Sequence, residues 1–118
     1  MDSHVAWLLE VAVKPGQFDT FRELMIEMVE STKAEPGAQV YEWAIGDDGS
    51  VMHVNERYAD SGATLAHLAT FMEAFDGRFL DAVDPTRFTV LGSPSDEVKQ
   101  EPSGFNPAYM RSFGGFSR

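Results

Sequence analysis

VMHVNERYADSGATLAHLATFMEAF, residues 51–75, decides the fold, because one stretch contains an extended segment, a polar corner and an amphipathic helix. Alternate residues of a strand project together, so Met52, Val54, Glu56 and Tyr58 share one face of Val51–Tyr58, and His53, Asn55 and Arg57 share the other. After the corner, Asp60 or Ser61 is placed to cap a helix by accepting backbone N–H groups. The helix carries Leu65, Leu68, Met72, Phe75 and Phe79 as its apolar stripe, and Gly77 weakens it without being required to end it.

Upstream, Gln39–Ile45 is rich in aromatic and branched residues, and Gly46-Asp47-Asp48-Gly49 supplies a turn, so it pairs with Val51–Tyr58 as a hairpin. Before it, Gln17 to about Glu35 has Phe18, Phe21, Met25, Met28 and Thr32 at helical spacing, and Glu35-Pro36-Gly37 ends that helix. Val5–Lys14 alternates as a first strand stopped by Pro15-Gly16. Downstream, Pro85 closes the second helical segment and Thr86–Leu91 makes a fourth strand.

The order β-α-β-β-α-β predicts an α+β, ferredoxin-like protomer with two helices on one face of a four-stranded antiparallel sheet. The other face, including Ala6, Leu8, Ala12, Val40, Ala44 and Leu91, is too apolar for solvent, which implies an isologous homodimer. Residues 1–92 form this domain and residues 93–118 an extension. Within the extension Ser95–Gln100 can make a short helical turn, and Glu101–Asn106 reads as a connector broken by Pro and Gly. Tyr109, Met110, Phe113 and Phe116 are expected to dock as an extra strand or arm, on the domain or on the partner subunit.

A chain of 118 residues with 43% hydrophobic composition supports one modest core. The formal charge is -10, and Arg111 and Arg118 are the only charges after Glu101, so the part ending there carries -12. That balance disfavours nucleic acid or an anionic membrane as partner and suits a small aromatic molecule. There is no Cys, hence no disulfide, thiol nucleophile or Cys-based zinc site. No apolar run approaches the roughly 18 residues of a membrane span, and the N-terminus has no basic leader, so a cytoplasmic location is expected. The histidines are far apart in sequence and no nucleotide-binding motif or serine elbow occurs, so neither a metal nor an organic cofactor is expected.

Glu35-Pro36-Gly37 followed by Tyr41-Glu42, and Glu56-Arg57-Tyr58 followed by Ala66-His67-Leu68, resemble the antibiotic biosynthesis monooxygenase (ABM) family of dimeric α+β barrel proteins, over about Val5 to Leu91. Tyr58 stands where the family pattern usually has Trp. The resemblance implies a homodimer built by sheet-to-sheet contact and a ligand cavity between helices and sheet. The family includes quinone-forming oxygenases that use no flavin or metal, haem-degrading enzymes and isomerases. The haem-degrading branch would need an axial His around Ala74 to Phe79, where this chain has none.

Three residues are candidates for catalysis. His67, as a neutral imidazole, could take a phenolic or enolic proton, or could simply tie helix to sheet. Glu56 on an apolar face must pair or titrate upward, which fits either a salt bridge or a function. Tyr58 would orient a ring. Trp7, Tyr41, Trp43 and Phe71, with Phe21 and Met25, could line an aromatic cavity, and ordinary core packing is the plainer reading for Phe21 and Met25. His53, Asn55 and Arg57 belong to the dimer interface or to a second polar site. The leading expectation is a cofactor-independent monooxygenase acting on a phenolic, quinol or polyketide-like aromatic substrate. A non-catalytic ligand-binding or interaction dimer is the alternative, and an isomerase or lyase the third reading.

Overall fold

A computed structural model describes residues 3–101 and 105–118. The order is β1 (Val5–Val13), α1 (Phe18–Lys33), β2 (Ala38–Ile45), β3 (Val51–Tyr58), α2 (Ser61–Ala74), α3 (Asp76–Ala82), β4 (Val83–Gly92), α4 (Asp96–Gln100) and β5 (Ala108–Met110). The sheet order is β2-β3-β1-β4-β5, the ferredoxin-like sheet with one strand added. The first four strands pair antiparallel, whereas β5 joins β4 in parallel, so the sheet is mixed and five-stranded.

The alternation read from β1 and β3 holds. Val5, Trp7, Leu9 and Val11 are buried beside Met52, Val54, Glu56 and Tyr58, and the intervening residues lie on the open face. Four positions of α1, Phe21, Leu24, Met28 and Thr32, bury against this surface, while Phe18 at the helix start stays 41% exposed. Asp60, extended at φ -160°, caps α2 by accepting from the Ala63 N–H at 2.8 Å.

Two elements depart from the sequence reading. The second helical segment is two helices, broken at Phe75 rather than Gly77, so Leu65 and Leu68 are only half-buried and Met72 is 51% exposed. The buried side of α2 is instead Thr64 and His67, three residues apart on one face. β4 begins at Val83 and runs through Pro85, because the register with β1 slips between Glu10 and Val11 and leaves Thr86 outside the pairing.

The C-terminal extension docks on its own domain. Val98 of α4 is buried, Phe105 stacks edge-on against Phe88 at 5.9 Å, and the Tyr109 hydroxyl donates to the Lys99 carbonyl at 3.0 Å. Of the four apolar residues expected to anchor the tail, Tyr109 and Met110 enter β5, while Phe113 and Phe116 are exposed. The connector expected over Glu101–Asn106 falls partly at 102–104, outside the described residues. No described helix is long and apolar enough to cross a membrane.

Candidate functional site

The site begins with the α1–β2 passage. Ala34 ends α1, and the Glu35 N–H donates to the Thr32 carbonyl at 2.9 Å. Gly37 then lies so close to α2 that a Cβ there would sit 2.3 Å from the Ala63 Cβ. Glycine therefore lets this passage press on the start of α2. The contact aims the Glu35 carboxylate at His67, whose Nδ1 is 3.1 Å from both Glu35 oxygens.

On its other edge the imidazole meets β3. His67 Nε2 lies 3.1 Å from Glu56 Oε1, and the Tyr58 hydroxyl donates to that same oxygen at 2.5 Å. Glu35, His67, Glu56 and Tyr58 thus form a continuous chain. Glu56 Oε2 takes neither of these contacts, and Glu56 lines the inner cavity together with His67.

Proton states follow from these contacts. Burial disfavours the charged form of His67, but the hydrogen bonds and negative charges of Glu56 and Glu35 outweigh it, and its pKa is raised. A carboxylate stands at each nitrogen of the imidazole that the sequence reading took as neutral, and the shift is towards the charged form. Burial, the Glu56 charge and the hydrogen bond to Glu56 push the Tyr58 phenol upward, so it stays a proton donor. Tyr41 is raised too, mainly by burial and then by the Glu56 charge. The two carboxylates sit on opposite edges of one ring and cannot converge on a single ion. Among the described residues no group of three or more His, Cys, Asp or Glu is arranged for a metal.

All four residues proposed as ring-binding, Trp7, Tyr41, Trp43 and Phe71, line the cavity beside Glu56 and His67. Trp7 packs against Tyr58 at 5.3 Å and Tyr58 against His67 at 4.8 Å, so the polar chain is walled by aromatic rings. Trp43 buries its indole N–H next to Tyr41, whose ring stands edge-on to it at 6.4 Å. Phe21 and Met25, by contrast, pack the core: Phe21 is fully buried with its ring edge-on to Trp43 at 5.2 Å, and Met25 packs against the same cluster beside a shallow groove that Phe18 and Ile45 share. His53, Asn55 and Arg57 are on the open face, where Arg57 Nε donates to Gln39 at 2.9 Å.

The inner cavity is small, about 50 Å³. Met72, Glu101 and Phe105 also wall an outer recess of about 470 Å³, a size typical of small-molecule sites. Sequence reasoning missed Glu35 as a site residue, as well as Met72, Glu101 and Phe105. Glu35 was visible as the end of α1 before Pro36-Gly37 and as part of a family motif, with no role attached, and the others lie on elements whose meeting has no local signature.

Comparisons with known proteins agree with this architecture. The family model for antibiotic biosynthesis monooxygenase matches residues 5–84. The structure is similar to that of MupZ from Pseudomonas fluorescens, with 21% identity and a TM-score of 0.87 over 100% of this chain and 91% of that one. It is also similar to Rv0793 from Mycobacterium tuberculosis, with 24% identity and a TM-score of 0.69 over 80% and 98% of the two chains. A conserved protein from Methanosarcina mazei Go1 gives 19% identity and a TM-score of 0.69 over 78% and 94%. A search of curated proteins gives no match. At these identities the structural likenesses establish the fold, and the likeness to MupZ includes the C-terminal extension. The family match spans well over half the chain, and the chain belongs to the antibiotic biosynthesis monooxygenase (ABM) family.

Proposed function

We propose that the chain is a cofactor-independent oxygenase acting on a phenolic, quinol or polyketide-like aromatic compound, with Glu56 as the proton acceptor. The observation that carries this reading is a buried carboxylate, 6% exposed, whose protein contacts with Tyr58 and His67 both fall on Oε1, in a wall of aromatic rings. Proton removal, assigned to His67 on sequence grounds, moves to Glu56 because both imidazole nitrogens already face carboxylates. The ring of the substrate lies among Trp7, Tyr41, Trp43 and Phe71, and the rest of a larger molecule occupies the outer recess.

For a phenol the balance is one phenol and one O2 giving one p-quinone and one water. The phenolic proton passes to Glu56, and the electron-rich ring carbon para to the oxygen forms a C–O bond to O2. The peroxide takes the proton back from Glu56. Loss of the ring hydrogen as a proton then breaks the O–O bond and releases water. The imidazolium of His67 stabilises the phenolate as it forms, and Tyr58 holds Glu56 in place.

The test is O2 uptake with a panel of quinols and hydroxynaphthalenes, run with and without air. Uptake equal to quinone formed, with no hydrogen peroxide released and one oxygen atom of 18O2 in the product, supports the oxygenase, whereas hydrogen peroxide equal to uptake would assign simple quinol oxidation. Turnover that continues without O2 would assign an isomerase or lyase. Binding without turnover would assign the non-catalytic reading, which the fully engaged His67 ring favours.

The open sheet face supports a homodimer. Val40, Leu91 and Met110 are 41%, 42% and 56% exposed there, beside Ala6 and Leu8, and a second copy presenting the same surface would cover them. Sedimentation at micromolar concentration is expected to show a dimer, and the double variant Leu8→Glu/Leu91→Glu a monomer. A monomeric wild type would overturn the pairing.

A further inference from the structure

The inner cavity is lined by His67 and Glu56 but not by Glu35, which stands behind the imidazole. We propose that Glu35 is a positioning residue that locks His67 as an imidazolium with its Nε2–H turned to Glu56, leaving Glu56 Oε2 as the group that meets the ligand's proton. The proposal rests on the reading of Glu56 as proton acceptor, and its first measurement is independent of turnover.

Three observations support it. Both Glu35 oxygens are equidistant, at 3.1 Å, from Nδ1, which suits a protonated Nδ1–H shared by a carboxylate. Once Nδ1 carries a proton, Nε2 can donate to Glu56 only if it is protonated too. Because Glu56 Oε1 already accepts from Tyr58, it is set to receive that second donor rather than give one. The position of Glu35 is also built into the backbone. The Ala59 N–H donates to the Gly37 carbonyl at 2.9 Å and Gly37 touches Ala63, so β3, α2 and the α1–β2 passage are fixed together around the imidazole.

The groups facing His67 from each packed element favour the same state. β3 supplies Glu56 and Tyr58, the passage after α1 supplies Glu35, and β2 and β1 supply the rings of Tyr41 and Trp7 at 5.8 and 6.3 Å. No described cation faces the ring in any of these contacts, so the imidazolium has two counter-charges and no competitor. Glu35 resembles in its role the carboxylate that orients a catalytic histidine, but here it serves to keep the histidine charged, which takes it out of use as a base.

The experiment is nitrogen NMR of histidine-labelled protein, in wild type, Glu35→Gln and Glu35→Asp, with quinol turnover measured on each. Both His67 nitrogens of wild type are expected to be protonated at pH 7. Glu35→Gln is expected to move the titration midpoint of His67 down by about one pH unit or more, and Glu35→Asp to restore most of that shift. If wild type oxidises quinols, Glu35→Gln is expected to lower kcat on the order of 10²-fold with KM within about twofold, since Glu35 touches no ligand. A neutral His67 in wild type at pH 7, or an unmoved midpoint in Glu35→Gln, would overturn the proposal. If the midpoint shifts as stated but no quinol is oxidised by wild type, the positioning role stands and the oxygenase reading fails. Glu35 is 18% exposed at its side chain and Gln keeps its shape, so the variant is expected to fold, and dispersed amide spectra check this.

Discussion

Glu56→Gln is expected to reduce kcat on quinols by about 10²–10⁴-fold while leaving the protein folded and KM little changed. The substitution removes the proton acceptor but keeps an oxygen that can accept from both Tyr58 and His67. It also leaves His67 paired with Glu35, so no unmatched charge is buried. Loss of stability should therefore be small, and the effect should concentrate in the chemical step. Glu56→Ala serves as contrast, because it strips Tyr58 and His67 of their shared acceptor and should lower both activity and thermal stability. Steady-state kinetics and thermal unfolding on the same preparations separate the two. Activity of Glu56→Gln within about threefold of wild type would show that Glu56 is structural and return the proton to another group.

Much of this site could be read from the chain because β3 reports its own geometry. Period-two alternation alone placed Glu56 and Tyr58 on the covered face with Met52 and Val54, and sent His53, Asn55 and Arg57 to the open one. The family motifs added His67. Hydrophobic spacing put the stripe of this helix on Leu65, Leu68 and Met72, whereas α2 turns Thr64 and His67 inward and leaves Met72 at the mouth of the cavity. A buried histidine with two carboxylate partners is polar in sequence and core-like in space, and a hydrophobicity pattern cannot see the partners that make it so. Glu35 shows the same limit at longer range. It is 32 residues from His67, and only the close approach of Gly37 to Ala63 brings them together. The break between α2 and α3 was likewise hidden, since Phe75, which carries the non-helical φ of -127°, is neither Gly nor Pro. The C-terminal strand was anticipated from its aromatic residues, but composition could not say that Tyr109 and Met110 would pair while Phe113 and Phe116 stayed exposed.

That break gives Phe79 its importance, and Phe79→Ala is expected to be the most damaging single truncation in the cavity wall. α3 is only seven residues, too short to be stable without packing, and Phe79 is its largest buried side chain at 1% exposure. Its ring meets Phe71 edge-on at 5.4 Å and lies 6.2 and 6.3 Å from Phe21 and Trp43. One residue thus ties α3 to α1, α2 and β2 and closes the floor of the inner cavity. Removing a buried Phe side chain costs about 3–5 kcal/mol, because transfer energy is lost and the space is only partly refilled. For a domain of this size that corresponds to a fall in Tm on the order of 10–20 °C. Leu80, next in the same helix but 40% exposed, is the control, and Leu80→Ala should cost less than about 1 kcal/mol. Urea unfolding of both variants measures the difference. The vacated space joins the aromatic cavity and remains apolar, so a small aromatic compound such as indole should bind there and recover part of the lost stability. A Phe79→Ala variant as stable as Leu80→Ala would mean that the α2–α3 corner collapses without cost, and that this wall does not hold the shape of the site.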